Sequence, residues 1–323
     1  MPPRQTFGLK GRRVWVAGHR GMVGSALVRR LAREDCEILT VGRDELDLTL
    51  QSDVRAWVAD RRPEAVFLAA ARVGGILAND HHPIEFLYEN MMIASNVLEA
   101  AARADVAKLL HLGSSCIYPR HAPQPITEDA LLTGPLEPTN EAYAIAKIAG
   151  LKLARAYRRQ EGRDFISAMP TNLYGPGDNF DLASSHVLPA LMRKAHEAKL
   201  AGAEEMTVWG SGAPRREFLH VDDCADALVF LMTRYSDDSH INVGCGEDQT
   251  TATLARDVAG AVGFNGVLRF DASKPDGMPR KLLDISRLKS LGWAPRISLA
   301  EGLAATYDWF VANPFPASQP RAA

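Results

Sequence analysis

The stretch Arg13-Val14-Trp15-Val16-Ala17-Gly18-His19-Arg20-Gly21-Met22-Val23-Gly24 decides the fold. A short apolar strand, Arg13 to Ala17, runs straight into a G-x-x-G-x-x-G turn, and a helix is expected from Met22 to Arg33. Glycines at such a turn let the backbone bend tightly and approach a pyrophosphate, which sits on the N–H groups of the following helix. The spacing alone is a weak signal; the strand before it and the helix after it give it weight. Gly18, His19, Arg20, Gly21, Met22, Val23 and Gly24 are therefore read as a dinucleotide cradle.

Working outward, short Val/Ile/Leu-rich runs alternate with longer amphipathic stretches, the rhythm of βαβ units. Further strands are expected at Glu37–Val41, Ala65–Ala70, Lys108–Leu112 and Phe165–Met169, and long helices at Pro83–Ala104 and Asn140–Gln160. The strand runs lack polar alternation because a parallel strand is covered on both faces. After Pro170 the texture changes, and Gly, Pro and Asn cluster in Thr171 to Phe180. The fold class expected is α/β: a Rossmann-type, doubly wound parallel sheet with a smaller α/β C-terminal substrate domain. Residues 1–172, with returns to the sheet near Phe218–Leu231 and Ile241–Val243 (roughly 217–246), would bind the dinucleotide. Residues 173–216 and 247–312 would bind substrate, and 313–323 would be a flexible tail.

Composition limits the function classes. A length of 323 residues fits about two domains at ~150 residues each. The formal net charge of -2 offers no polycation for nucleic acid or an anionic bilayer. No apolar run approaches the ~18 residues of a spanning helix. Four scattered cysteines (Cys36, Cys116, Cys224, Cys245) signal neither a disulfide framework nor a zinc site, and no metal site is expected. A cytoplasmic protein follows as an expectation.

The dinucleotide is read at the end of the second strand. Arg43, with Arg20 in reach, suits the 2′-phosphate of NADP(H), while neighbouring Asp44 keeps NAD open. The chemistry is read from Tyr143-Ala144-Ile145-Ala146-Lys147, whose spacing puts a phenol and an ammonium on one helix face. A lysine charge ~5 Å away at an effective dielectric of ~20 favours phenolate by ~3 kcal/mol, lowering the proton affinity about a hundredfold. That would bring Tyr143 towards a useful acid–base range. A serine lies upstream at a strand end, in Gly113-Ser114-Ser115-Cys116-Ile117-Tyr118.

Glycine turn, Ser, Tyr and Lys in this order resemble the extended short-chain dehydrogenase/reductase superfamily. The strings His19 to Ser25, Ser114-Ser115-Cys116-Ile117-Tyr118-Pro119, Glu137-Pro138-Thr139-Asn140-Glu141, Pro170 to Pro176 and Arg216 to Asp223 carry the resemblance further. They are similar to its GDP-4-keto-6-deoxymannose 3,5-epimerase/4-reductase family, over about Arg13 to Phe310. The resemblance implies an NADPH-dependent oxidoreductase that is also an isomerase: epimerisation at C3 and C5, then reduction at C4 to GDP-L-fucose. It implies Ser114, Cys116, Tyr143, Lys147 and His186 as catalytic residues. The cofactor would also meet Arg43, Asp47, Leu48, Leu112, Gly113, Ser115, Pro170, Thr171, Asn172 and Leu173. Lys194, Trp209, Arg216 and Asp276 would bind the GDP-sugar, with Lys281 a further candidate. The family also implies a homodimer through the 83–104 and 140–160 helices.

Several substrate-side positions depart from the family's pattern: Lys194 in place of arginine, Gly177 in place of a larger polar residue, the loop Asp181-Leu182-Ala183, and the extra charge of Arg215. A sugar-nucleotide 4-epimerase or a simple 4-reductase of the same superfamily is the alternative. A dehydratase would want an Asp-Glu pair where Ser115-Cys116 stands. An NADP-sensing module would have no need of Ser114, Tyr143 and Lys147 together.

Overall fold

The computed structural model describes residues 7–274 and 276–313. The tail expected over 313–323 lies outside the described residues beyond Asn313. The first half of the chain runs β1 (Arg13–Ala17), α1 (Met22–Leu31), β2 (Glu37–Leu39), α2 (Gln51–Arg61), β3 (Ala65–Leu68), α3 (Ile76–His81), α4 (Pro83–Arg103), β4 (Lys108–Leu112), α5 (Glu141–Glu161) and β5 (Phe165–Pro170). There follow β6 (Asn172–Tyr174), α6 (Val187–Leu200), β7 (Glu205–Trp209), β8 (Arg215–Arg216), β9 (Phe218–His220), α7 (Val221–Arg234) and β10 (Ile241–Val243). The last elements are β11 (Gln249–Thr250), α8 (Thr251–Val262), β12 (Val267–Asp271), β13 (Arg280–Lys281), α9 (Ser286–Ser290) and α10 (Leu299–Ala312).

Six strands form one parallel sheet in the order β10-β5-β4-β3-β1-β2. The chain passes from β1 outward to β2, then back across β1 to β3. The crevice beyond the carboxyl ends of β1 and β3 is therefore a topological switch point, where open α/β sheets bind ligands. Burial on both faces explains the apolar runs. Val14 and Val16 enter one core with Leu27 of α1 and Leu228 of α7. Trp15 and Ala17 enter the other with Val54 of α2, Val97 of α4 and Ala154 of α5. On that second face α5 approaches β4 closely at Gly150, where an added Cβ would stand 2.6 Å from His111 Nε2.

The structure shortens several expected elements. The first helix ends at Leu31, and the second strand stops at Leu39. The strand expected to Ala70 leaves the ladder after Leu68, since Ala70 must pack its backbone over Gly18. The expected sheet return at Phe218–Leu231 divides in two. β9 pairs with β6 in a separate two-stranded sheet, and α7 packs beside α1.

A third core gathers Leu188 and Leu191 of α6, Val208 of β7, Leu254 and Val258 of α8, and Leu303 and Phe310 of α10. Beside it, two-residue strands build a small sheet in the order β11-β8-β13. β13 runs parallel to β8 in the register Arg280↔Arg215 and Lys281↔Arg216. Arg215 and Arg280 both grip Asp248, at 2.8 and 2.5 Å. Strand alternation then turns Arg216 and Lys281 to the opposite face.

Candidate active site

The glycine turn lies at the switch point. Gly18 takes φ +88, and a Cβ there would stand 2.7 Å from Ala70 backbone atoms. A Cβ on Gly24 would collide with the Gly18 carbonyl. α1 is preceded by Gly21 with no side-chain cap, so no flanking side chain of the protein takes the place of an anion at its first turn. These features fit a dinucleotide pyrophosphate at Gly18–Gly24. At the end of β2, Arg20 lies over Gly42 and pairs with Asp44 at 2.8 Å, and Arg43 comes within 3.8 Å of Glu89. Both arginines thus stand just beyond the end of β2, beside Asp44. Asp47 is engaged locally, accepting from Thr49 N–H at 2.9 Å, and the Leu48 carbonyl accepts from Asn96.

Beyond β4 the chain turns through Gly113, whose N–H donates to the Ala168 carbonyl, and Ser114 caps a 3₁₀ turn over Ser115–Ile117. The Ser114 hydroxyl accepts from the Cys116 N–H at 3.2 Å and lies within hydrogen-bonding reach of the Tyr143 phenol. Lys147 donates to the Leu112 carbonyl at 2.9 Å, and its Nζ stands 5.7 Å from the centre of the Tyr143 ring. Phe86 of α4 meets Tyr143 edge-on at 6.3 Å. The carboxyl end of β5 brings Pro170, Thr171, Asn172 and Leu173 to the same crevice, where Asn172 Nδ2 donates to the Glu217 carbonyl at 2.8 Å.

The electrostatics differ from the expectation in one respect. Burial pushes the Tyr143 phenol well above its ordinary value, the nearby Cys116 adds to this, and the Ser114 hydrogen bond opposes it. Lys147 does not reverse the effect, because burial pushes its own ammonium down to about 8 and its Nζ is spent on a carbonyl. Tyr143 therefore stays protonated at neutral pH, as a proton donor requires.

Cys116 Sγ receives Asn140 Nδ2 at 3.3 Å and Lys281 Nζ at 3.5 Å. His186 opens α6 as its N-terminal flanking residue. The residue is exposed at the start of the helix, yet its imidazole is partly withdrawn from solvent. That withdrawal, with the charge of Lys281, pushes its imidazole below the ordinary value. The departures from the family's pattern have local reasons. Asp181 braces the loop that presents His186, accepting from Ala183 and Ser184 N–H groups at 3.0 Å. Gly177 sits at φ +86, which suits glycine, and Arg215 is spent on Asp248.

On the far wall, exposed Trp209 carries Lys194 Nζ 4.5 Å from its ring centre and Lys274 Nζ at 5.5 Å. Arg216 Nη2 reaches the Asp276 carbonyl at 3.4 Å. Asp276 itself is a staple: its carboxylate accepts from Ser211 N–H and Oγ at 2.8 and 2.7 Å. Sequence reasoning gave no role to Asn140 or Lys274. Asn140 had a signal, since it stands one helical turn before Tyr143 and flanks the start of α5. The Arg216–Asp223 string turns out to be mostly structural beyond Arg216. Buried Glu217 holds the Gly246 and Leu283 N–H groups, His220 caps α7, and Asp223 accepts from Arg296 and Ile297. Among the described residues no group of three His, Cys, Asp or Glu could hold a metal ion.

A nucleotide cradle at a parallel-sheet switch point, with Ser, Tyr and Lys beside it, defines a class of dinucleotide-dependent enzymes. The chain belongs to the NAD dependent epimerase/dehydratase family, whose sequence model matches residues 14–244. It is 59% identical to GDP-L-fucose synthase of Sinorhizobium fredii, covering 94% of this chain and 97% of that one. Identity to GDP-L-fucose synthase 1 of Arabidopsis thaliana is 58%, covering 94% of each. The solved GDP-L-fucose synthetase from Naegleria fowleri bound to NADP superposes with a TM-score of 0.89 at 30% identity, over 97% of this chain and 96% of that one.

Proposed function

We infer that the chain is a bifunctional NADPH-dependent enzyme that epimerises GDP-4-keto-6-deoxy-D-mannose at C3 and C5 and reduces C4, giving GDP-L-fucose. One observation carries the reading: Cys116 stands two residues from Ser114 and beside Tyr143 and Lys147 in a single crevice. The identity to relatives named for this product supports the choice of sugar.

The C4 ketone acidifies the protons on C3 and C5. Cys116 and His186 remove and return them on opposite faces, while Ser114 and Tyr143 hold the enolate oxygen. Tyr143 then protonates the C4 oxygen as the ketone is reduced. NADPH bound along Gly18–Gly24 supplies the hydride. Lys147 holds positive charge below the phenol and reaches the nicotinamide ribose. Lys194 and Arg216 meet the diphosphate, and the exposed Trp209 ring stacks on the base.

The same reading divides the chain into an NADP-binding body (1–172 with 217–246) and a substrate body (173–216 and 247–312). It includes a homodimer, supported by Ile84, Tyr88 and Met91 exposed along one face of α4 and Ile145 on adjoining α5. It also places the enzyme in the cytoplasm, where its four free cysteines would stay reduced. No helix of the described residues is long and apolar enough to cross a membrane.

The test mixes protein, NADPH and GDP-4-keto-6-deoxymannose in deuterated water and identifies the product by NMR. GDP-L-fucose with deuterium at C3 and C5 is expected. A reduced product with the original C3 and C5 configuration would make the chain a simple 4-reductase. No NADPH oxidation would move a 4-epimerase to the front.

A further inference from the structure

We propose that Lys281 is a positioning residue for the epimerisation half of the reaction: its ammonium, 3.5 Å from Cys116 Sγ, stabilises the charged sulfur formed when Cys116 gives up its proton. The proposal deepens the function inferred above and rests on it for the sugar. The contact between the two side chains stands independently of it.

Three observations place this charge. First, β13 pairs with β8 so that Arg215 and Arg280 share Asp248 on one face, which leaves Lys281 turned to the other, towards the crevice. Second, the strand is clamped. Glu217 N–H donates to the Lys281 carbonyl at 3.3 Å, Leu283 N–H donates to Glu217 at 3.0 Å, and Leu282 N–H donates to Gln124 at 2.9 Å. Third, Lys281 is buried, at 7% exposure, and no carboxylate pairs with it among the described residues. The hydrogen-bond partner of its Nζ is Cys116 Sγ. A buried ammonium is costly unless a negative charge answers it. The group that its Nζ meets, and that can become negative, is the sulfur.

The other groups facing Cys116 act around this pair. Asn140 of the turn before α5 also donates to Sγ, at 3.3 Å. From α5, Lys147 is occupied by the Leu112 carbonyl, and Tyr143 is kept protonated by its burial. Beside Lys281 in register, Arg216 turns to the Asp276 carbonyl, and Glu137 is paired with Arg120 at 3.2 Å. Across the crevice, His186 feels Lys281 as a repelling charge. One cation thus favours a charged sulfur and an imidazolium eager to lose its proton. The exchange is balanced: the sugar C–H proton passes to the sulfur as a proton passes from imidazolium to the opposite face of the enolate carbon. Solvent then resets both groups.

The test needs no sugar. Alkylation of Cys116 by iodoacetamide is followed by mass spectrometry of its peptide, from neutral to alkaline pH, in wild type, Lys281→Gln and Lys281→Arg. The peptide readout separates Cys116 from Cys36, Cys224 and Cys245. Lys281→Gln should slow alkylation at neutral pH by about tenfold or more and move the profile to higher pH, with Lys281→Arg restoring most of the loss. NADPH binding measured on the same samples reports whether each variant is folded. An unmoved profile in a folded Lys281→Gln protein overturns the proposal. If Lys281→Gln fails to fold, the wild-type profile is set against that of a free cysteine thiol: alkylation of Cys116 at lower pH than the free thiol, kept in Lys281→Arg, supports the proposal, and alkylation at the same or higher pH overturns it. Failure of the function reading would look different: wild type would put no deuterium into C3 or C5, while the alkylation profiles stayed as expected.

Discussion

The two walls of the crevice are built in opposite ways. The wall from β1, β4 and α5 takes its chemistry from contiguous strings: Gly18–Gly24 on one turn, Ser114–Cys116 on another, and Tyr143 with Lys147 one helical turn apart. The facing wall takes single residues from α6, β7, β8, β13 and the loops between them, and holds them with long-range ion pairs such as Asp248 between Arg215 and Arg280. On the function proposed above, the first wall carries groups for both proton exchange and reduction, which need one fixed geometry. The second must fit a particular sugar nucleotide. Local strings hold the general chemistry, and long-range packing holds the specific part.

Perturbing the first wall should give the larger losses. Tyr143→Phe removes the proton donor to the C4 oxygen and should lower NADPH oxidation by about a thousandfold, with NADPH affinity nearly unchanged in a fluorescence titration. Cys116→Ser should slow deuterium entry at C3 and C5 by about a hundredfold while the protein still binds NADPH; equal loss of both would make Cys116 part of the cofactor cradle and not of the proton exchange. Gly24→Ala pushes a methyl into the Gly18 backbone and should weaken NADPH binding by tenfold or more on the order-of-magnitude scale of an overpacked site.

The pH profile gives a further handle. Burial lowers Lys147 to about 8, so kcat/KM for reduction should fall about tenfold one pH unit above that value, as the ammonium loses its proton. The sign is the one for a depressed lysine. Between about 8 and its unfolded value the unfolded chain binds the extra proton, so this group makes the fold more stable as pH rises while it makes the enzyme slower. Lys147→Arg should carry the falling limb to higher pH. The smallest effect is expected from Arg43→Ala, which should cut the preference for NADPH over NADH by about fivefold in parallel kinetic assays.

How much was legible in the sequence follows from the same division. β4 is found at Lys108–Leu112 as its apolar run indicates, and the glycine turn, Ser114 and the Tyr143–Lys147 pair read directly. All of them are local patterns. The strands β8, β11 and β13 are two residues long, too short to show any period, so nothing in the sequence joins Arg216 to Lys281 or Lys281 to Cys116. The state of Tyr143 was misjudged because spacing reveals a neighbouring charge but not burial. The Arg215 charge reads in the sequence only as an extra charge, because its partner Asp248 lies more than thirty residues on.

The central claim is that Cys116 and His186 exchange protons in the same site where Tyr143 serves reduction, and that the first event needs no oxidation or reduction. The most direct measurement incubates enzyme and GDP-4-keto-6-deoxymannose in deuterated water without NADPH and reads C3 and C5 by NMR. The account predicts deuterium at both carbons with wild type and almost none with Cys116→Ser or His186→Asn. Undiminished exchange in those two variants, or none in wild type that still oxidises NADPH on the same sugar, would contradict it.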